Sequence, residues 1–148
     1  MFERYTERAR RVMFFGRFEA AQLGSTEIGP EHLLLALIRE DPKMICLMAG
    51  GDKTAPQRIR EAMLQMLPVL EKINTSLDLS LTKESKQVLQ MTADEAERVR
   101  HRHIGTEHLL LGILKQAGMA ATVLNEHNIT WKGVNDEIVR NVVRPNPG

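Results

Sequence analysis

Apolar residues recur along most of this chain at three- and four-residue spacing, the period of a helix with one buried face. Ala9, Val12, Met13 and Ala20 trace one such stripe, and Val88, Met91 and Ala96 another. Ile59, Met63, Met66 and Leu67 form a third, and Val134, Ile138 and Val142 a fourth. Two segments, beginning at Leu33 and Leu109, are apolar nearly all round, which marks central, buried helices. Short apolar stretches, Ile45 to Met48 and Ala120 to Leu124, add one brief helix to each half. No alternating run and no Asn-Gly or Asp-Gly turn points to a strand. The expected fold is all-α, with about eight helices.

The helix boundaries carry their own signals. Thr6, Thr82 and Thr54 are candidate N-caps, and the last helix starts from Thr130. Gly24-Ser25 ends the first helix, and the Arg100-His101-Arg102 stretch ends its later counterpart. Gly29-Pro30 and Gly105-Thr106 open the two leucine-rich helices, since proline lacks an N–H the first turn does not use and threonine can cap it. Glu31 and Glu107 then sit in a first turn, where the helix dipole favours negative charge.

These signals occur twice because the chain is an internal repeat. A shift of 76 residues lays Ile28-Gly29-Pro30-Glu31-His32-Leu33-Leu34-Leu35 on Ile104-Gly105-Thr106-Glu107-His108-Leu109-Leu110-Leu111. The same gapless shift pairs Thr6 with Thr82, Val12 with Val88, and Glu19-Ala20 with Glu95-Ala96. One domain over 1–143 follows, built of two pseudo-twofold-related four-helix repeats at about 2–70 and 78–143. Pro68 ends the first repeat, Leu67 to Ser80 connects the two, and 144–148 reads as a tail or the start of a linker.

Composition removes several function classes. Twenty basic and 19 acidic residues leave a net charge of +1, far from the excess of a nucleic-acid binder. No apolar run approaches the length of a membrane span, and the first residues do not form a signal peptide, so cytoplasm is the default compartment. The single cysteine, Cys46, permits neither an internal disulfide nor a multi-cysteine zinc site, and its apolar flanks read as core packing. Gly50-Gly51-Asp52-Lys53-Thr54 lacks the glycine before lysine and the spacing of a phosphate-binding loop. No metal is expected: Glu31-His32 and Glu107-His108 are adjacent, hence about 100° apart on the helix, and His101-x-His103 has no third ligand nearby. The histidines after the glutamates are expected to pack or hydrogen-bond near the core. No catalytic residue and no cofactor are identified.

What the repeat preserves beyond packing is a glycine, a start residue and a glutamate at the mouth of a buried helix. A carboxylate beside unpaired amides could hold a ligand carrying both signs of charge. Met1-Phe2-Glu3-Arg4-Tyr5-Thr6-Glu7-Arg8-Ala9-Arg10-Arg11-Val12, the two Ile-Gly-x-Glu-His-Leu-Leu-Leu mouths and their separation resemble the N-terminal domain of Clp-type unfoldases, most closely the ClpC type. The resemblance covers about 1–143 and implies a non-enzymatic module that brings adaptors and unfolded or marked substrates to a Clp ATPase ring, in cis or in trans. It implies phosphoarginine binding at Glu31 and Glu107, with Pro30 and Thr106 beside them. It also implies partner contacts at Phe2, Arg10, Leu81 and Lys86, and a monomer in isolation. The family's Gly-Glu-Gly after the second helix is Asp41-Pro42-Lys43 in one copy and Gln116-Ala117-Gly118 in the other. Because Pro30 removes a hydroxyl and an N–H, the Glu107 mouth is expected to be the more competent. The rival reading is a free-standing regulator or ligand-binding protein that kept the fold without serving a Clp ring.

Overall fold

The structure, a computed structural model, describes residues 2–74 and 78–142, with side chains up to 140 in the last helix. It contains α1 (Glu7–Gln22), β1 (Glu27–Ile28), α2 (Pro30–Glu40), α3 (Pro42–Met48) and α4 (Ala55–Met66), then β2 (Ser80–Leu81), α5 (Lys83–Arg98), α6 (Thr106–Gln116), α7 (Met119–Glu126) and α8 (Trp131–Val142). The eight helices among the described residues fall into two halves of four, as the repeat requires. The expected tail at 144–148 lies outside the described residues.

Local chemistry explains the starts and stops. Thr6 and Thr82 cap α1 and α5, their hydroxyls accepting from Ala9 N (3.1 Å) and Ser85 N (3.0 Å). Thr130 does the same for α8, accepting from Gly133 N. α2 and α6 are the centre of the molecule: Leu33, Leu34, Leu35, Leu109, Leu110 and Leu111 are all essentially inaccessible to solvent. Burying each such leucine stabilises the fold by about 1.5–3 kcal/mol, so these two helices dominate the apolar core. Two repeat-related acids brace it. Glu19 on α1 accepts from Arg39 of α2 and, through both oxygens, from Arg60 of α4. Glu95 on α5 accepts from Arg98 and from Trp131 Nε1 of α8, with Lys115 of α6 at 3.5 Å. Both carboxylates are buried, so each needs these donors to offset its desolvation.

The halves are interlaced. β1 pairs in parallel with β2, Glu27 opposite Ser80 and Ile28 opposite Leu81. Across the pseudo-twofold, Tyr5 bridges Ile104 in the same sense. Each half therefore lends the segment before its first helix to the other half. As a result, each helix mouth faces the junction between the second and third helices of the opposite repeat.

Four expectations need correction. The short β1–β2 pair was not announced by alternation, because two residues are too few to show a period. Thr54 does not cap α4: its N–H and hydroxyl both turn to Asp52 Oδ1 (2.9 and 2.7 Å). Thr106 is inside α6 rather than its cap, which is Gly105. Cys46 is half-buried on the short α3 instead of lying in the core, since only Ile45 of that helix is fully covered.

Candidate functional site: two unequal helix mouths

The mouths of α2 and α6 share one construction. At the third helical position His32 and His108 turn back, and each Nδ1 accepts the N–H of the N-cap glycine at 2.9 Å. This is the return half of a capping box, with imidazole in place of glutamine. Both rings lie near the core, as expected, but their capping role was not foreseen. Its signal was present, in a side-chain acceptor three residues after both glycines. The cost is an amide: the glycine N–H is used up, and each histidine N–H donates to the glycine carbonyl. The amides of these mouths are thus largely engaged. Glu31 and Glu107, one position earlier, fold over their own N-cap glycines, and a Cβ at Gly29 or Gly105 would overlap their carboxylates. Any side chain at either glycine would therefore have to displace the carboxylate from this position.

From here the two mouths differ. The first opens into a cavity of about 280 Å³ lined by Gly29, Pro30 and Glu31 from one half and by Thr82, Glu84, Gln116, Gly118 and Met119 from the other. It holds two carboxylates, and its far wall is the N-terminus of α7, where Gly118 is the N-cap. The first amides of a helix have no partner within it, so this wall offers donors.

The second mouth is occupied by the protein itself. Thr106 Oγ1 donates to Asp41 Oδ2 (2.7 Å), while Asp41 Oδ1 caps α3 by accepting from Met44 N (3.2 Å). Arg8 stands 3.5 Å from the same Oδ1. Arg8 and Glu84 are repeat equivalents, so a cation here replaces an acid at the first mouth, and Asp41 neutralises it. Glu107 Oε1 is buried without a hydrogen-bond donor. Burial raises the Glu107 pKa above the usual carboxylate value; His103 and a backbone bond oppose the shift, and the Asp41 charge adds to it.

Beside this mouth, ring nitrogens of His101, His103 and His108 lie within 4.8 Å of one another, so the fold supplies the third ligand that the sequence lacked. The protonation pattern argues against a cation there. Because His108 Nδ1 must accept from Gly105, its neutral ring carries the proton on Nε2, the nitrogen 2.9 Å from His101 Nδ1. Gly105, His108 and His101 therefore form a hydrogen-bonded chain, with the His103 ring stacked on His101, and burial pushes the His108 pKa down to about 3, which keeps that ring neutral.

Of the residues expected to meet partners, Phe2 and Arg10 come together: Arg10 Nε donates to Phe2 O (3.3 Å), and the Phe2 ring packs edge-on to Tyr5. Leu81 on β2 is half-buried and Lys86 on α5 exposed, both in the other half. Among the described residues no helix is long and apolar enough to cross a membrane.

Comparison with known proteins places this geometry. The Clp repeat (R) N-terminal domain matches residues 4–127 and 80–146, the overlap reflecting the internal repeat. The chaperone protein ClpB of Oceanobacillus iheyensis is 32% identical over 141 residues, which are 95% of this chain. The negative regulator of genetic competence ClpC/MecB of Bacillus subtilis is 30% identical over the same share. The chain spans 17% of the length of each of these two relatives. Among solved structures, the N-terminal domain of the ClpD chaperone from Arabidopsis thaliana superposes with a TM-score of 0.73 at 24% identity, covering 93% of this chain and 96% of that one. A protein of a malarial protein secretion system superposes with a TM-score of 0.82 at 18% identity, covering 96% and 97%.

Proposed function

The chain belongs to the Clp repeat N-terminal domain family, and on that basis we propose that it is a non-enzymatic recognition module which selects substrates or adaptors for a Clp unfoldase. The observation that carries the reading is the cavity at the first mouth, with Glu31 and Glu84 on one side and the α7 N-terminus on the other. Carboxylates paired with a guanidinium make strong, charge-assisted hydrogen bonds, and free helix amides hold an anion. The ligand this combination suits is an arginine side chain bearing a phosphoryl group, its guanidinium on the glutamates and its phosphoryl on α7.

The first mouth is the working one on this reading, which reverses the weighting drawn from Pro30. The amide that proline removes is made up by α7, whereas the second mouth already holds an anion, Asp41, against its threonine. Calorimetric titration of a phosphoarginine peptide tests the proposal. Wild type is expected to bind, with Glu31→Gln and Glu84→Gln each weakening binding at least tenfold and Glu107→Gln changing it less than twofold. A peptide with citrulline in place of phosphoarginine, lacking both charges, is expected not to compete. Absence of binding, or a loss confined to Glu107→Gln, refutes the assignment.

A further inference from the structure

The pseudo-twofold makes each half a control for the other, and one pair of equivalent turns is treated in opposite ways. α1 and α5 both end in a turn with a residue in the left-handed region, Gly24 at φ +75° and Arg100 at φ +61°. Glycine adopts this conformation freely, whereas an arginine there is strained. The turn therefore needs no cation, and the second half carries one against its conformational preference.

In the first half the turn is covered by the connecting segment. Leu70 N–H donates to Leu23 O (3.3 Å) and Ile73 N–H to Ala21 O (3.0 Å). A Cβ at Gly24 would run into the backbone of Leu70 and Glu71. In the second half the equivalent acceptors are the carbonyls of Val99 and Glu97, and among the described residues neither receives a bond from outside its own turn. Beside this turn is an open cleft of about 630 Å³ lined, among the described residues, by Arg4, Glu97, Arg100, His101 and Arg102. Their counterparts in the first half are Ser80, Ala21, Gly24, Ser25 and Thr26, with no charge among them. Arg4 is held in place, donating to the carbonyls of Arg102 (2.7 Å) and His101 (2.9 Å). The Arg100 and Arg102 side chains are exposed, and no ion pair or hydrogen bond of theirs is found among the described residues.

We propose that the turn ending α5 is a docking groove for an extended acidic segment of a partner protein. Its backbone N–H groups meet the Val99 and Glu97 carbonyls as Leu70 and Ile73 meet Leu23 and Ala21, and its carboxylates meet Arg100 and Arg102. A carboxylate peptide suits the groove better than a nucleic acid does, because the chain as a whole is nearly neutral.

The groove is separate from the helix mouths, and its test is independent of theirs. Fluorescence anisotropy would follow a labelled Val-Leu-Glu-Glu-Ile peptide against the intact chain, beside its Val-Leu-Lys-Lys-Ile counterpart. The acidic peptide is expected to bind at least tenfold more tightly, less so at high salt, and Glu31→Gln to leave its binding unchanged. The double variant Arg100→Gly, Arg102→Thr installs the first half's own residues, so the turn stays foldable. It is expected to lose at least tenfold in affinity with no fall in Tm. Equal binding of the two peptides, wild-type affinity in the double variant, or a single-stranded oligonucleotide that outcompetes the acidic peptide would each overturn the proposal.

Discussion

Replacing Asp41 by alanine tests the closure of the second mouth. Asp41 is 8% exposed and works through both oxygens, capping α3 through Met44 N and receiving the Thr106 hydroxyl from the opposite half. Loss of an N-cap costs about 1 kcal/mol. Stranding the Thr106 hydroxyl, itself buried, costs about a further 1–2 kcal/mol. The sum, about 2–3 kcal/mol, corresponds to a Tm lower by about 5–10 °C for a chain near this size. Asp41→Asn separates charge from hydrogen bonding. Asparagine caps as well as aspartate, and its amide can donate to the threonine oxygen, so its loss is expected to stay below about 1 kcal/mol. Because the Asp41 charge contributes to the raised pKa of Glu107, both variants are expected to let Glu107 ionise at lower pH, as read by carboxyl NMR titration. Denaturant unfolding of Asp41→Ala, Thr106→Val and the double variant completes the cycle. Equal stability of Asp41→Ala and Asp41→Asn, or strict additivity with Thr106→Val, would show that the Asp41–Thr106 bond does not close this mouth.

Two further outcomes follow from the mouths. His108 is protonated only near pH 3 in the folded chain, against an ordinary value of 6.5. The unfolded chain thus binds the extra proton first, and stability falls below pH 6.5 by about 1.4 kcal/mol per pH unit from this group. His32, also depressed by burial, adds in the same direction. Glu107 opposes both, because a raised carboxyl favours the folded state as pH falls toward 4.5. His108→Gln keeps an acceptor for Gly105 N but does not titrate, so unfolding curves at pH 7.5 and pH 5 are expected to lie closer together than in wild type; an unchanged gap contradicts the assignment. At the first mouth, Gly29→Ala is tolerated by the backbone (φ −94°) yet drives the Glu31 carboxylate off its seat. Little change in Tm and at least a tenfold loss of phosphoarginine-peptide affinity are expected, and retained affinity would count against the glycine argument.

The helices were legible because their apolar stripes are long and their caps local: Thr6 and Thr82 act as their positions suggest. The repeat could be seen in the residues alone because a gapless shift needs no geometry. What could not be read was the interlacing of the halves. Nothing near Gly29 in sequence shows that Glu84 and Gly118 complete its cavity, nor that Asp41 reaches Thr106, 65 residues away. At Pro30 only a local loss of one amide was visible; the α7 N-terminus across the cavity, on which the proposed choice of mouth rests, was not. Thr54 fails for a smaller reason, since Asp52 two residues before it competes for the same hydroxyl.

The recognition role proposed for the chain turns on the first mouth, built across both halves, taking the ligand. Backbone chemical-shift mapping during titration with a phosphoarginine peptide measures this on the unmodified chain. The largest changes are expected on Glu31, Glu84, Gly118 and Met119, saturating together. Changes centred on Thr106 and Glu107, with the α7 N-terminus unmoved, would place the ligand at the wrong mouth and contradict the proposal.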